Sequence, residues 1–190
     1  MKTEDNGEGA ASINHITFEI AKQFLENEGS VDLSEATTID DDAADALGER
    51  DDYDFSPQLF LNGLTKISNA AAESLSKNNN QLFLDGLTEI SDAAAESLCA
   101  VDHEGTLSLN GLTEISDSIA ELMSRGKKEL NLGGLIKISD AAAKSLSWHK
   151  GDLFLDDGIS LSDAAAKSLS KREGEINYME SAEWVKSIRD

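Results

Sequence analysis

The chain has 190 residues, a formal net charge of −21, and 39% hydrophobic residues against only 5% aromatic ones. Such a field repels nucleic-acid phosphates and anionic lipid, which excludes direct nucleic-acid binding and association with a membrane surface. The length fits one domain or one repeat array. Cys99 is the only cysteine, so no intrachain disulfide can form, as suits a reducing compartment.

Residues 1–12, "MKTEDNGEGAAS", are polar and acidic and are expected to form a flexible tail. They lack the apolar centre of a signal peptide, and no run in the chain approaches the roughly 18 apolar residues of a membrane span. A cytoplasmic location follows as the expectation. Residues 13–30 carry a helix pattern that matches the back half of the later units, with Ile16 over Ile39, Ala21 over Ala44 and Phe24 over Leu47. This segment is predicted to cap the array, with Phe18 and Phe24 closing its end.

Residues 31–58 form a divergent repeat. Val31 and Leu33 begin it, and the step from Val31 to Leu59 is longer than any later one. Its acidic stretch carries Asp40, Asp41, Asp42, Asp51, Asp52 and Asp54, without the spacing of a calcium loop. Positions 1–58 hold 16 acids against 3 bases, net −13, and positions 59–190 hold 21 against 13, net −8. Residues 48–57, ending at the only proline, are expected to project from the stack and to tolerate shortening.

Residues 59–175 contain five repeats. The anchors are Leu59/Leu61, Leu82/Leu84, Leu107/Leu109, Leu130/Leu132 and Leu153/Leu155, evenly spaced except for a slightly longer step between Leu82 and Leu107. In "LFLNGL" the two leucines point one way and Phe60 the other, which is strand periodicity. Gly63, Gly86, Gly111 and Gly134 follow, where a turn is expected. Ser68 suits a helix N-cap, with Ile67 and Ala72 spaced as a hydrophobic staple. Asn69, Asp92, Asp117, Asp140 and Asp163 fall in the first helical turn, where the aspartates meet the positive helix end. Ile67, Ala71 and Leu75 form a buried stripe on a helix of about ten residues. The "AAA" triplets at 70–72, 93–95, 141–143 and 164–166 let neighbouring helices approach closely.

One such unit buries about five large apolar side chains, roughly 8–15 kcal/mol gross. Ordering its backbone costs about 1 kcal/mol or more for each residue fixed. A single unit therefore cannot fold alone, whereas stacked units cover one another's open faces. Residues 176–190 make the C-terminal cap. Ile176/Tyr178 take the strand positions, and Trp184, Val185 and Ile188 are predicted to face inward.

The motif L-x-L-x-G-L-T-x-I-S-D-A-A-A-x-S-L-S and its period resemble the leucine-rich-repeat superfamily, particularly its bacterial variety, over residues 13–190. The resemblance implies an α/β fold: a right-handed strand–helix solenoid with a parallel sheet on its concave side. It also implies a protein-binding role and no catalytic residue. The familiar unit places Asn or Cys three residues after the second strand leucine, where it bonds successive backbones. Here that position holds Leu64, Leu87, Leu112, Leu135 and Gly158, so no polar ladder is expected.

The outward strand positions are Asp32, Phe60, Phe83, Ser108, Asn131, Phe154 and Asn177, followed by Ser34, Asn62, Asp85, Asn110, Gly133 and Asp156. Phenylalanine on an open face marks a contact surface. Phe60, Phe83 and Phe154 are therefore the predicted anchors of a partner site, framed by Asn62, Asp85, Ser108, Asn110, Asn131 and Asp156. Phe60 and Phe83 should lie side by side, with Phe154 roughly 14 Å away. The competing reading has the two rings stacked on each other beneath a flanking segment.

In "CAVDHEG", Cys99, Asp102, His103 and Glu104 resemble neither a metal site, which needs three or four ligands in fixed geometry, nor a complete Cys–His dyad. They are read as a solvated loop, and His15 and His149 as surface or packing residues. No phosphate-binding, dinucleotide or nucleophile motif is present, so neither an enzyme nor a cofactor is expected. The expected function is a non-enzymatic interaction module that binds a protein partner, or a second copy of itself, on the concave face. Two alternatives remain open at this point. One is an acidic decoy that imitates nucleic acid in the groove of a basic protein. The other is a structural or substrate component of a larger bacterial system.

Overall fold

The structure, a computed structural model, describes residues 11–49, 58–77, 81–99 and 105–189, with the backbone alone at 11 and 12. At the N-terminal end are β1 (Ala11–Ser12), β2 (His15–Ile16), α1 (Phe18–Glu26), a 3₁₀ turn (Glu28–Ser30), β3 (Val31–Asp32), β4 (Thr38–Ile39) and α2 (Asp41–Gly48). The strands pair in parallel, β1 with β3 and β2 with β4. The second pair sets Ile16 opposite Ile39, as the sequence alignment predicts. The array thus begins inside the predicted tail, because Ala11–Ser12 completes a strand pair with Val31–Asp32. Phe24 packs against the core, but Phe18 is exposed and does not close the end.

The remaining elements alternate. They are β5 (Gln58–Phe60), α3 (Asn69–Ser76), β6 (Gln81–Phe83), α4 (Asp92–Cys99), β7 (Thr106–Ser108), α5 (Asp117–Met123), β8 (Glu129–Leu132), α6 (Asp140–Leu146), β9 (Leu153–Leu155), α7 (Asp163–Leu169), β10 (Glu175–Ile176), β11 (Met179–Glu180) and α8 (Ser181–Ser187). Strands β5 to β10 form a parallel sheet in chain order, and β11 adds to it antiparallel. Leu59, Leu82, Leu107, Leu130, Leu153 and Ile176 stand opposite one another along the ladder. The longer step between Leu82 and Leu107 leaves that register intact. Helices pack on their neighbours in chain order, from α1·α2 to α7·α8. Among the described residues no helix is long and apolar enough to cross a membrane.

The core is a row of leucines from the strands, closed by the helices. Two alanines of each triplet are buried, such as Ala71 and Ala72, while the first is exposed. Ser68 caps its helix as predicted, accepting from the backbone N–H three residues on, and Ser91, Ser116, Ser139 and Ser162 do the same in the later units. Each cap hydroxyl, or a serine close to it, also donates to the preceding helix. Ser91 reaches Asn69 at 2.7 Å and Ser118 reaches Asp92 at 2.8 Å. Ser68, Ser139 and Ser162 bond Asp41, Asp117 and Asp140. The acidic first turns therefore tie units together besides meeting the helix dipole.

The helices stop sooner than the predicted ten residues, at seven or eight. Ser76, Ser124, Ser147 and Ser170 fold their hydroxyls onto carbonyls three residues back. Such local bonds compete with helix continuation.

The recurrent glycines lie in turns, as predicted, each closed by the N–H of the following leucine on the carbonyl three residues back, but the reason for glycine is not the conformational freedom expected of it. None of Gly63, Gly86, Gly111 and Gly134 has a positive φ. A Cβ at Gly86 would instead stand 2.1 Å from the Asn62 carbonyl oxygen, and one at Gly111 2.3 Å from that of Asp85. The glycine lets one unit's turn press onto the backbone of the unit before it.

Two further expectations are corrected at the C-terminal end. Gly158 occupies the leucine column, but the turn shifts by one residue, and Ile159 is buried in its place. Tyr178, expected at the inward second strand position, is 73% exposed. Asn177 and Tyr178, at φ 52° and 60°, form the two-residue turn between β10 and β11, and positive φ at both positions is what a tight hairpin favours. Trp184, Val185 and Ile188 do face inward. Of the segment 48–57 expected to project, Gly48 instead ends α2 and is buried, while residues 50–57 lie outside the described residues.

Cys99 ends α4 in the core, and burial pushes its thiol up to about 12, with the Lys128 ammonium pulling the other way. At pH 8 the folded protein is expected to resist Ellman's reagent and to react promptly in denaturant. Native reaction at the rate of an unfolded peptide would show that this part of the stack opens freely.

Candidate interaction face

Parallel pairing sets Phe60 opposite Phe83. Their rings stack with centroids 4.6 Å apart and planes at 22°. Phe60 remains 42% exposed, so no described segment closes over the pair. Both the predicted side-by-side placement and the stacking of the competing reading are therefore present, but among the described residues the cover is not.

Phe154 does not stand alone. Tyr178 meets it edge-on, with centroids 4.6 Å apart and planes at 70°. The sequence reading missed Tyr178 because the β10–β11 turn, which reverses its direction, is signalled only by Asn177 before it. The outer face of the sheet thus carries two aromatic pairs. β7 and β8 lie between β6 and β9, which at the usual strand spacing separates Phe83 from Phe154 by roughly 14 Å.

Between the aromatic pairs the polar residues are bound to one another. Ser108, predicted as an exposed contact, is only 1% exposed. Its hydroxyl donates to Asp85 Oδ1 at 2.6 Å and accepts from Asn110 Nδ2 at 3.0 Å. Asn62 Oδ1 accepts from the Asp85 N–H at 3.2 Å, Asp85 Oδ1 from the Asn110 N–H at 3.0 Å, and Asn110 Oδ1 from the Gly133 N–H at 2.7 Å. A polar ladder therefore does link successive backbones, contrary to the expectation. It runs from the residue directly after the second strand leucine, two positions ahead of the place the family pattern suggests.

The signal was the column of Asn62, Asp85 and Asn110. Gly133 has no side chain and ends the ladder. Asp156 turns back to the Gly158 N–H at 2.7 Å, and Asn177 bonds both the N–H and carbonyl of Leu155. Asn131 is half-buried, and its Oδ1 has no hydrogen-bond partner among the described residues.

The remaining candidates do not gather here. His15 is exposed, 2.7 Å from the Thr38 hydroxyl and 3.2 Å from Asp40. His149 is buried, its ring nitrogens 3.0 Å and 2.9 Å from the carbonyls of Met123 and Lys128. Burial holds its pKa below the ordinary value, against the pull of those carbonyls. Among the described residues no group of three or more His, Cys, Asp or Glu could hold a metal ion, while Asp102, His103 and Glu104 lie outside them. Comparison with protein-family models and with curated proteins finds no match for the chain.

Proposed function

We infer that the chain is a leucine-rich-repeat-like, right-handed solenoid acting as a non-enzymatic protein-interaction module in the cytoplasm. The partner is a protein, gripped on the concave face of the sheet. The observation that carries this reading is the open, stacked pair Phe60 and Phe83. Aromatic rings supply most binding energy when a partner desolvates them, and rigid neighbours raise the return. The ladder through Asn62, Asp85, Ser108 and Asn110 supplies that rigidity, which makes these four a frame for the rings rather than free contacts. Phe154 and Tyr178 offer a second grip at the other end of the row.

The test compares the native chain with the Phe60→Ser, Phe83→Ser double variant in affinity capture from the native host and in a thermal melt. Removing the ring–ring contact should cost about 1 kcal/mol of stability. Binding should weaken at least about tenfold, or 1.4 kcal/mol, and change little with added salt. Unchanged capture would refute the aromatic site. Binding that collapses with salt but ignores the variant would point to a charge-driven decoy.

A further inference from the structure

A groove of about 840 Å³ lies at the C-terminal ends of α6 and α7, and it shares no residue with the aromatic row. Its lining includes Lys144, Lys150 and Lys171, with Trp148, Ser147 and Ser168 among them. One carboxylate, Glu173, stands against the three ammonium groups. Elsewhere Lys22, Lys66, Lys77, Lys137, Arg125 and Arg189 each hold a carboxylate. Lys144, Lys150 and Lys171 make no ion pair and no side-chain hydrogen bond among the described residues, a condition shared outside the groove by Lys167 and Lys186. In a chain of net charge −21, three unpaired lysines in one groove are a local concentration of positive charge. Trp148 is 72% exposed beside them, whereas the other tryptophan is buried.

The helix dipole accounts for Lys144, which sits in the last turn of α6. It does not account for an open indole, nor for lysines beyond the helix ends. The serines narrow the ligand further. Ser147 donates its proton to the Lys144 carbonyl at 2.7 Å, and Ser168 donates to that of Ala164 at 2.9 Å. Their oxygens are left as acceptors. Helix C-termini likewise bring carbonyls and not the N–H cluster that phosphate favours. The groove thus offers positive charge, hydrogen-bond acceptors and an aromatic face. A simple anion satisfies only the first. A peptide rich in Asp or Glu satisfies all three, through its carboxylates, its backbone N–H groups and one apolar side chain.

The geometry points to this groove as a docking site for an acidic peptide segment of a partner protein. Its carboxylates meet Lys144, Lys150 and Lys171, and one side chain packs on Trp148. The probe is a fluorescein-labelled, acetylated and amidated peptide of four glutamates around one phenylalanine, titrated by anisotropy against the full chain. The control peptide carries glutamines instead. The glutamate peptide should bind at least tenfold tighter than the control. The Lys150→Glu, Lys171→Glu variant, whose exposed positions leave the melt unchanged, should weaken it at least tenfold, and Trp148→Ala should weaken it too. Phe60→Ser, Phe83→Ser should leave it unaltered, so this site and the aromatic face succeed or fail separately. Equal affinity for the two peptides, no binding of either, or indifference to the lysine reversal would overturn the proposal. So would loss of the peptide in the phenylalanine variant, or its displacement by ATP at lower concentration than by unlabelled peptide.

Discussion

Trp184→Ala is expected to lower stability by about 3–5 kcal/mol, the range for removing a large buried aromatic side chain. Trp184 is 1% exposed and belongs to the core cluster. It is also the largest side chain brought by α8, the last helix of the array. Its indole N–H donates to Asp157 Oδ1 at 2.9 Å, an oxygen that also accepts from Asn177 Nδ2 at 3.0 Å. Alanine would leave a cavity at the end of the stack and remove one of that carboxylate's two bonds. Urea denaturation measures the loss, and hydrogen exchange should show β9 to α8 opening ahead of the central units, because terminal units have a neighbour on one side only. Trp184→Phe keeps most of the volume and should lose less than half as much. A loss below about 1 kcal/mol for Trp184→Ala would mean that the cap is not held by this ring.

Gly134→Ala is the second large effect. A Cβ there would stand 1.8 Å from the Asn110 carbonyl oxygen and 3.0 Å from that of Leu112. Both are backbone atoms of the preceding unit, so relief requires the β7 and β8 units to move apart. Overpacking of this kind typically costs about 1–3 kcal/mol, and with no side chain able to yield the expected loss is about 3 kcal/mol or more. The neighbouring Gly133 provides the comparison. Its Cβ would meet only the Asn110 side chain, whose oxygen lies at 3.0 Å, so Gly133→Ala should cost less than about 1 kcal/mol. If the two variants melt together, close approach is not what demands glycine at 134.

The alternation of strand and helix, the strand register and the serine caps were all legible in the sequence, since each depends on spacing within one unit. The stacking of Phe60 on Phe83 followed from their shared position in successive units. What escaped depends on contacts between units. The Asn62–Asp85–Asn110 ladder lies ahead of the leucine column, where the family pattern gives no reason to look for it. The glycines were legible as turn residues, but not as the points of backbone contact that they also are. Alignment alone places Tyr178 on a strand, because it cannot register a reversal of chain direction. The groove of Lys144 and Lys171 draws on two units, but a trace of it was present. Glu73 and Glu96 in α3 and α4 give way to Lys144 at the same helical position in α6.

The glycine contact and the two ladders have a consequence for the size of the molecule. A core that closes on itself fixes its own dimensions, and material added to it must be absorbed as strain. Here the units that begin at β5, β6 and β7 each present to the next much the same surface: an Asx side chain for a backbone N–H, a carbonyl against which a bare glycine closes, and a first-turn Asn or Asp for a serine at the start of the next helix. None of these contacts counts how many units precede or follow it. A segment one period long, such as 130–152, is then the natural quantum by which the chain can grow or shrink, while the distance between its two aromatic pairs changes in whole steps.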